Sequence, residues 1–149
     1  MRVFAPSATC LALLAALLPV LDSAATPPAL SAQDAWVRAT PGAEVAAAYL
    51  TLHNGGTQPV VVSGVSSPAA AAAMIHESTL VNGQSTMRAH EPLRIGAGET
   101  VRFAHGGLHI MLQRLKRPLT TGDEVPLVLQ LEGGARLTVT ARVRALADS

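Results

Sequence analysis

The sequence predicts an all-β domain, built as an antiparallel sandwich or a Greek-key barrel. From residue 34 onward, short apolar stretches alternate with turn residues over nearly the whole chain. Asn82-Gly83 and Gly133-Gly134 each separate two such stretches, as turns do in β-hairpins. No helical period extends over more than a turn or two. About eight or nine short strands with frequent turns are typical of sandwiches and barrels.

The first part of this domain contains three predicted strands, at residues 35–39, 45–53 and 60–65. Pro41-Gly42 and Asn54-Gly55-Gly56 supply the turns between them. The alanine run at residues 69–73 has two interpretations. Alanine is the best helix former and Ser67 is a suitable N-cap, so a helical turn fits. The small residues fit equally well as the start of a strand, and both alternatives stay open.

The second part contains two predicted hairpins and the strands between them. The Asn82-Gly83 turn joins residues 75–80 to residues 85–89, and the Gly133-Gly134 turn joins residues 125–131 to residues 136–143. In the last of these strands, apolar side chains alternate with Arg and Thr, which indicates one buried and one exposed face. The remaining predicted strands are residues 93–95, 100–104 and 108–115.

The N-terminal segment has the features of a secretory signal peptide at residues 1–25. Arg2 gives a positive start, residues 11–21 are apolar, and Ser23-Ala24-Ala25 offers small residues for cleavage near Ala25. The apolar run is shorter than the about 20 residues that a bilayer span needs. Cys10 precedes this run, so we do not expect it to carry a lipid. We expect an extended leader at residues 26–33 and a single β-domain at residues 34–149.

The composition after residue 25 excludes several classes of protein. Removing Arg2 and Asp22 from the totals of 11 and 10 leaves ten basic and nine acidic residues, which gives a net charge of about +1. This balance gives no electrostatic case for binding nucleic acid or an anionic membrane. Because Cys10 is the only cysteine, the mature chain has neither disulfides nor a thiolate metal site. No second apolar run is long enough to cross a membrane.

The candidate functional residues lie between residues 74 and 111. This window contains four of the five histidines and every methionine except the initiator. Alternate residues of a strand share a face, so Met74 pairs with His76 and His109 pairs with Met111. Thioether and imidazole without thiolate suit Cu(I) better than zinc, calcium or magnesium. The Asn82-Gly83 hairpin places Met87 beside the strand of His76, whereas joining the two clusters needs a fold that the spacing does not prove.

The same methionine and histidine residues also fit interpretations that involve no metal. A single methionine in a strand usually fills the core, and a single histidine is usually a surface or hydrogen-bonded residue. The case for a metal site rests on concentration, since seven of the eight Met and His residues after residue 25 lie in this window. A blue-copper electron carrier requires a cysteine ligand, which is missing. No nucleophile motif of a hydrolase is present, so we expect no enzyme.

The spacing His76-x10-Met87-x21-His109-x-Met111 resembles the pattern that defines the periplasmic copper chaperones of the PCu(A)C family. The segments D-A-W-V-R-A-T-P, M-I-H-E and G-G-L-H-I-M-L are also similar to that family, and the resemblance extends from about residue 34 to residue 143. It implies a cupredoxin-like fold and a Cu(I) site made by these four residues. It also implies a periplasmic location and delivery of copper to the dinuclear copper centre of a cytochrome c oxidase, directly or through another chaperone.

Three further residues and two further functions stay open. His90 and His105 are extra histidines for this pattern, and they bind Cu(II), assist transfer or do nothing; Met74 is an alternate ligand. Because the ligands have to exchange copper, we expect them at the surface. The alternative functions are a secreted β-sandwich for copper sequestration or tolerance, and a metal-free interaction module.

Overall fold

The computed structural model describes residues 29–145, which form ten β-strands and no helix. Each of the ten strands overlaps one of the ten stretches predicted above, although the expected total was eight or nine. Within the described part of the chain, no helix is long and apolar enough to cross a membrane. The strands are β1 Leu30–Ala39, β2 Val45–Asn54, β3 Val60–Ser66, β4 Ala70–Val81, β5 Gln84–Ala89, β6 Leu93–Ile95, β7 Thr100–Arg102, β8 Leu108–Leu115, β9 Glu124–Leu131 and β10 Arg136–Arg144.

The strands follow one hydrogen-bonded path in the order β5-β4-β8-β2-β1-β10-β9-β3-β6, with β7 paired to β2. The pairings are antiparallel, except that β1 and β10 run parallel. Alternate side chains from strands along the path join a single buried cluster, so the sheet folds over on itself around one core. Large fully buried members include Leu52, Ile75, Ile110 and Leu127. The predicted all-β sandwich is therefore confirmed.

The hairpin between β4 and β5 forms at the predicted turn. Asn82 and Gly83 have φ angles of 52° and 78°, and positive values at both central residues match the right-handed twist of the flanking strands. Val81 pairs with Gln84 directly beside the turn, and further along the hairpin Ser78 pairs with Met87. The turn thus fixes the register that brings Met87 next to the strand of His76.

The first strand begins earlier than predicted. Residues 30–33, assigned to the leader, belong to β1, where Leu30 pairs with Asn54 and Gln33 with Thr51. Leu30 is 1% exposed and belongs to the core cluster. The free energy gained by burying the Leu30 side chain exceeds the conformational entropy lost when this segment becomes ordered. The domain therefore starts at Leu30 and not at residue 34. The predicted signal peptide, its predicted cleavage site and Cys10 lie outside the described residues.

The alanine run forms strand, and the helical alternative is wrong. Ala70 pairs with Leu115 and Ala73 with Leu112, so the run is the first part of β4. Ala70 is also buried in the core cluster. Alanine prefers a helix by less than about 1 kcal/mol per residue over most side chains, and pairing with a whole neighbouring strand exceeds that preference.

Candidate metal site

The four predicted ligands lie on β5, β4 and β8, which are neighbours in the sheet. His76 of β4 is directly opposite His109 of β8, and Met111 lies two residues further along β8. Met87 of β5 is opposite Ser78, which places it diagonally from His76 on the same face. The intervening residues Ile75 and Ile110 are fully buried, so the core lies behind the other face. The fold therefore brings together the two clusters that the sequence left apart.

Two candidate ligand atoms, Nδ1 of His76 and Sδ of Met87, are 3.2 Å apart. Zinc, a first-row ion, forms bonds of about 2.0 Å to nitrogen and about 2.3 Å to sulfur. At the tetrahedral angle, bonds of these lengths place the nitrogen and sulfur ligand atoms about 3.5 Å apart. The rings of His76 and His109 are edge to face, with centroids 5.9 Å apart. These separations leave His76, Met87 and His109 within reach of one ion after small side-chain adjustments.

His109 has the hydrogen-bonding pattern of a metal ligand. Its Nδ1 is 3.0 Å from the carbonyl oxygen of Gly107, and since a carbonyl only accepts, Nδ1 donates and Nε2 has the lone pair. Nε2 is buried and has no hydrogen-bond partner in the described part of the chain. A buried unpaired polar atom costs about 1–3 kcal/mol. Metal-bound histidines commonly donate their other N–H to a carbonyl in this way.

The candidate ligands differ in exposure. Met87 is 51% exposed, as expected for a ligand that exchanges its metal, whereas His109 is only 5% exposed. The expectation that all ligands lie at the surface is therefore wrong for His109. His109 lines a groove together with Tyr49 and Arg38. One candidate ligand is thus buried, while another is exposed.

The pKa of His76 lies below the ordinary value of 6.5, first because burial disfavours the charged ring and second because His109 is close. Since the unfolded chain then binds more protons, we expect the free energy of unfolding of the copper-free protein to fall as pH drops below 6.5 and through the lowered pKa. An NMR titration of the His76 ring measures this directly. A midpoint above 6.5 would contradict the described surroundings of the ring.

The three additional candidates occupy different places. Met74 is directly opposite Met111, on the same face, and stays an alternate ligand. His90 follows Ala89, the residue paired with His76, and its Nδ1 is 3.3 Å from Oε2 of Glu77. Since neighbouring residues of a strand alternate, His90 belongs to the opposite side from the candidate ligands. His105 lines the groove that also contains His109 and Met111.

The donor set limits which ion the site suits. Among residues 29–145, no three His, Cys, Asp or Glu side chains come together in a way that could hold a metal. Two imidazoles without a third nitrogen, oxygen or thiolate ligand are a poor site for zinc, calcium or magnesium. The methionine sulfurs are therefore needed to complete a coordination sphere, and thioether sulfur selects soft ions such as Cu(I).

The sequence of residues 30–143 matches the family described as LpqE-like putative lipoproteins. A putative lipoprotein of Leifsonia xyli subsp. xyli is 38% identical over 111 residues, which are 74% of this chain. The match spans 66% of that relative, just under two thirds of its length.

Two solved structures share the fold. The Cu(I) form of DR1885 from Deinococcus radiodurans is 34% identical, with a TM-score of 0.61, over 82% of this chain and 81% of that one. The copper-bound PCuAC domain of PmoF2 is 21% identical, with a TM-score of 0.65, over 78% of this chain and 93% of that domain. The chain therefore has the fold of PCuAC domains.

Proposed function

The chain belongs to the family of LpqE-like putative lipoproteins, and we propose that it is a copper chaperone that binds one Cu(I) through His76, Met87, His109 and Met111. The observation that carries this proposal is the face shared by the four side chains, where Nε2 of His109 is buried and has no partner in the part of the chain that the structure describes. Support for copper comes from DR1885, which is 34% identical and was solved with Cu(I).

The chemistry of the four donors fits a carrier of Cu(I). Two imidazoles and two thioethers are uncharged, so a dication gains less here than from carboxylates or thiolates. Thioethers bind without losing a proton, and the exposed Met87 can leave the ion first when another protein supplies a ligand. His109 is fixed by the core and by Gly107, so it is suited to hold the ion until the last step. The proposed role is binding and transfer, without catalysis.

The proposed location is outside the cytoplasm, in the periplasm, after removal of residues 1–25. Support comes from the sequence features of that segment and from the lipoprotein description of the family. We propose that the copper is delivered to the dinuclear copper centre of a haem–copper oxidase, directly or through another copper chaperone. Mass spectrometry of the exported chain reads its first residue and shows whether Cys10 is removed.

The test of this function is a Cu(I) titration of the mature protein against a competing Cu(I) chelator. We expect one Cu(I) per chain, because the single cluster of soft ligands completes one coordination sphere. Failure to compete at any chelator concentration would make a metal-free interaction module the better account. The copper-loaded protein is then mixed with the copper-binding domain of an oxidase from which copper has been removed. Transfer of copper to that domain indicates delivery, whereas a sequestering protein keeps its ion.

A further inference from the structure

A groove of about 380 Å³ extends from Met87 on β5 across the candidate copper ligands of β8 to β2 and β1. It contains His109 and Met111 from β8, Tyr49 from β2 and Arg38 from β1. His105, from the loop before β8, is also part of its wall. None of the groove's lining residues is Asp or Glu. Within the described part of the chain, the wall of this groove thus has a guanidinium group and no carboxylate.

Arg38 has no acidic partner in the described structure. The ion pairs between described residues join Arg117 to Asp123, Arg142 to Glu124 and His90 to Glu77, and none includes Arg38. The side chain is half-buried, and Nη1 is 3.5 Å from Nδ1 of His105, while the Tyr49 hydroxyl is a second polar neighbour of the guanidinium group. A partly buried cation without a carboxylate loses hydration and gains little in return. This arrangement favours an anion from outside the chain.

The contact with Arg38 also orients His105 as a second donor. A guanidinium group has donors only, so the contact favours the tautomer in which Nδ1 accepts and Nε2 carries the hydrogen. The Nε2–H of an exposed histidine is then available to a ligand in the groove. The buried Tyr49 lies near the same guanidinium, which favours the ionised phenol and so partly offsets the rise that burial causes in its pKa. An anion would thus meet several donors on one wall.

We propose that this groove is a binding site for a small carboxylate, held by Arg38 and His105, and that anionic groups reach the candidate copper ligands through it. The second half of the proposal rests on the proposed Cu(I) site. Four uncharged ligands leave the ion's positive charge uncompensated, next to the positive charge of Arg38. A carboxylate in the groove neutralises part of this charge, whether it is a free ion or a side chain of the protein that exchanges copper.

The first experiment uses the copper-free protein, so it is independent of the proposed function. Acetate is titrated at constant ionic strength while NMR follows the side-chain Nε–H of Arg38 and the ring of His105. We expect saturable shifts, with affinity reduced by about tenfold in Arg38→Gln and less in Arg38→Lys, which keeps the charge. Arg94→Gln is the matched control, because Arg94 is exposed on β6 at the far edge of the sheet.

A second variant tests whether His105 contributes to the binding of acetate. His105→Ala should also weaken acetate binding, and its exposed side chain can be removed without unfolding the domain. Linear shifts without saturation, or equal affinity in Arg38→Gln and Arg94→Gln, would overturn the anion site. In that case Arg38 would only pack its apolar stem on the sheet.

The second experiment asks whether anions use this groove to reach copper. Cu(I) is removed from the loaded protein by bicinchoninate, which has two carboxylates, and by neocuproine, which is uncharged. We expect Arg38→Gln to slow removal by bicinchoninate several-fold and to leave removal by neocuproine unchanged. A free carboxylate ion as the physiological occupant would show as inhibition of bicinchoninate by acetate. Equal effects of the substitution on both chelators would overturn the entry route, even where acetate binds.

Discussion

Replacement of both Met87 and Met111 by alanine is expected to lower the affinity for Cu(I) by more than about a thousandfold. Loss of a residue that only supports a ligand costs about 10–100-fold in metal affinity, and here two direct ligands are removed. Two imidazoles would remain, and they suit Cu(II) better than Cu(I). Cu(II) binding should therefore change little. Competition titrations of the two oxidation states measure both effects.

Met74→Ala is the matched control for this double substitution. Met74 is on the same face, directly opposite Met111, and is 39% exposed, so the same atoms are removed one position away. We expect its effect on Cu(I) affinity to be below about tenfold. A larger loss in Met74→Ala than in Met111→Ala would show that Met74 is the ligand from this pair of strands.

His109→Leu is expected to abolish tight Cu(I) binding and yet leave the copper-free domain at least as stable. Nε2 of His109 is buried without a partner among residues 29–145, and replacing the ring by an apolar side chain of similar size removes that cost of about 1–3 kcal/mol. The bond from Nδ1 to Gly107 is lost as well, which offsets part of the gain. Urea unfolding measures the stability, and chelator competition measures a loss of Cu(I) affinity of at least about a hundredfold.

The matched control is His90→Leu, because His90 contacts Glu77 on the opposite side from the ligands. This change should leave Cu(I) affinity unaltered. If His109→Leu unfolds at a urea concentration well below that of the unsubstituted protein, His109 is a structural residue of the core. The assignment of His109 as a ligand would then be wrong.

Half of the candidate site follows from local sequence. Asn82-Gly83 predicts the β4–β5 hairpin, and the hairpin alone places Met87 diagonally from His76. The pairing of β4 with β8 does not follow, because β5, β6 and β7 lie between them in the chain. Alternation of side chains shows which residues share a face within a strand, but it does not say which strands are neighbours. The approach of His109 to His76 was therefore a prediction from family resemblance.

The parts that sequence reasoning missed depend on tertiary contacts. Leu30 begins the first strand because it fills the core, although the segment around it has the composition of a leader. The alanine run is strand because it pairs with β8. Arg38 is not predicted as a functional residue, because a single arginine in a strand has no local sequence pattern that indicates a binding site. Arg38 shares a groove with His109 and Met111 only because β1 lies next to β2, and β2 next to β8, in the sheet.

X-ray absorption of the Cu(I)-loaded protein is the most direct test of the central claim. With His76, Met87, His109 and Met111 as ligands, copper should have two sulfur and two nitrogen neighbours, with sulfur at about 2.3 Å and nitrogen at about 2.0 Å. The Met87→Ala, Met111→Ala double variant should lose the sulfur signal. A Cu(I) form of the unsubstituted protein without any sulfur neighbour would contradict the account.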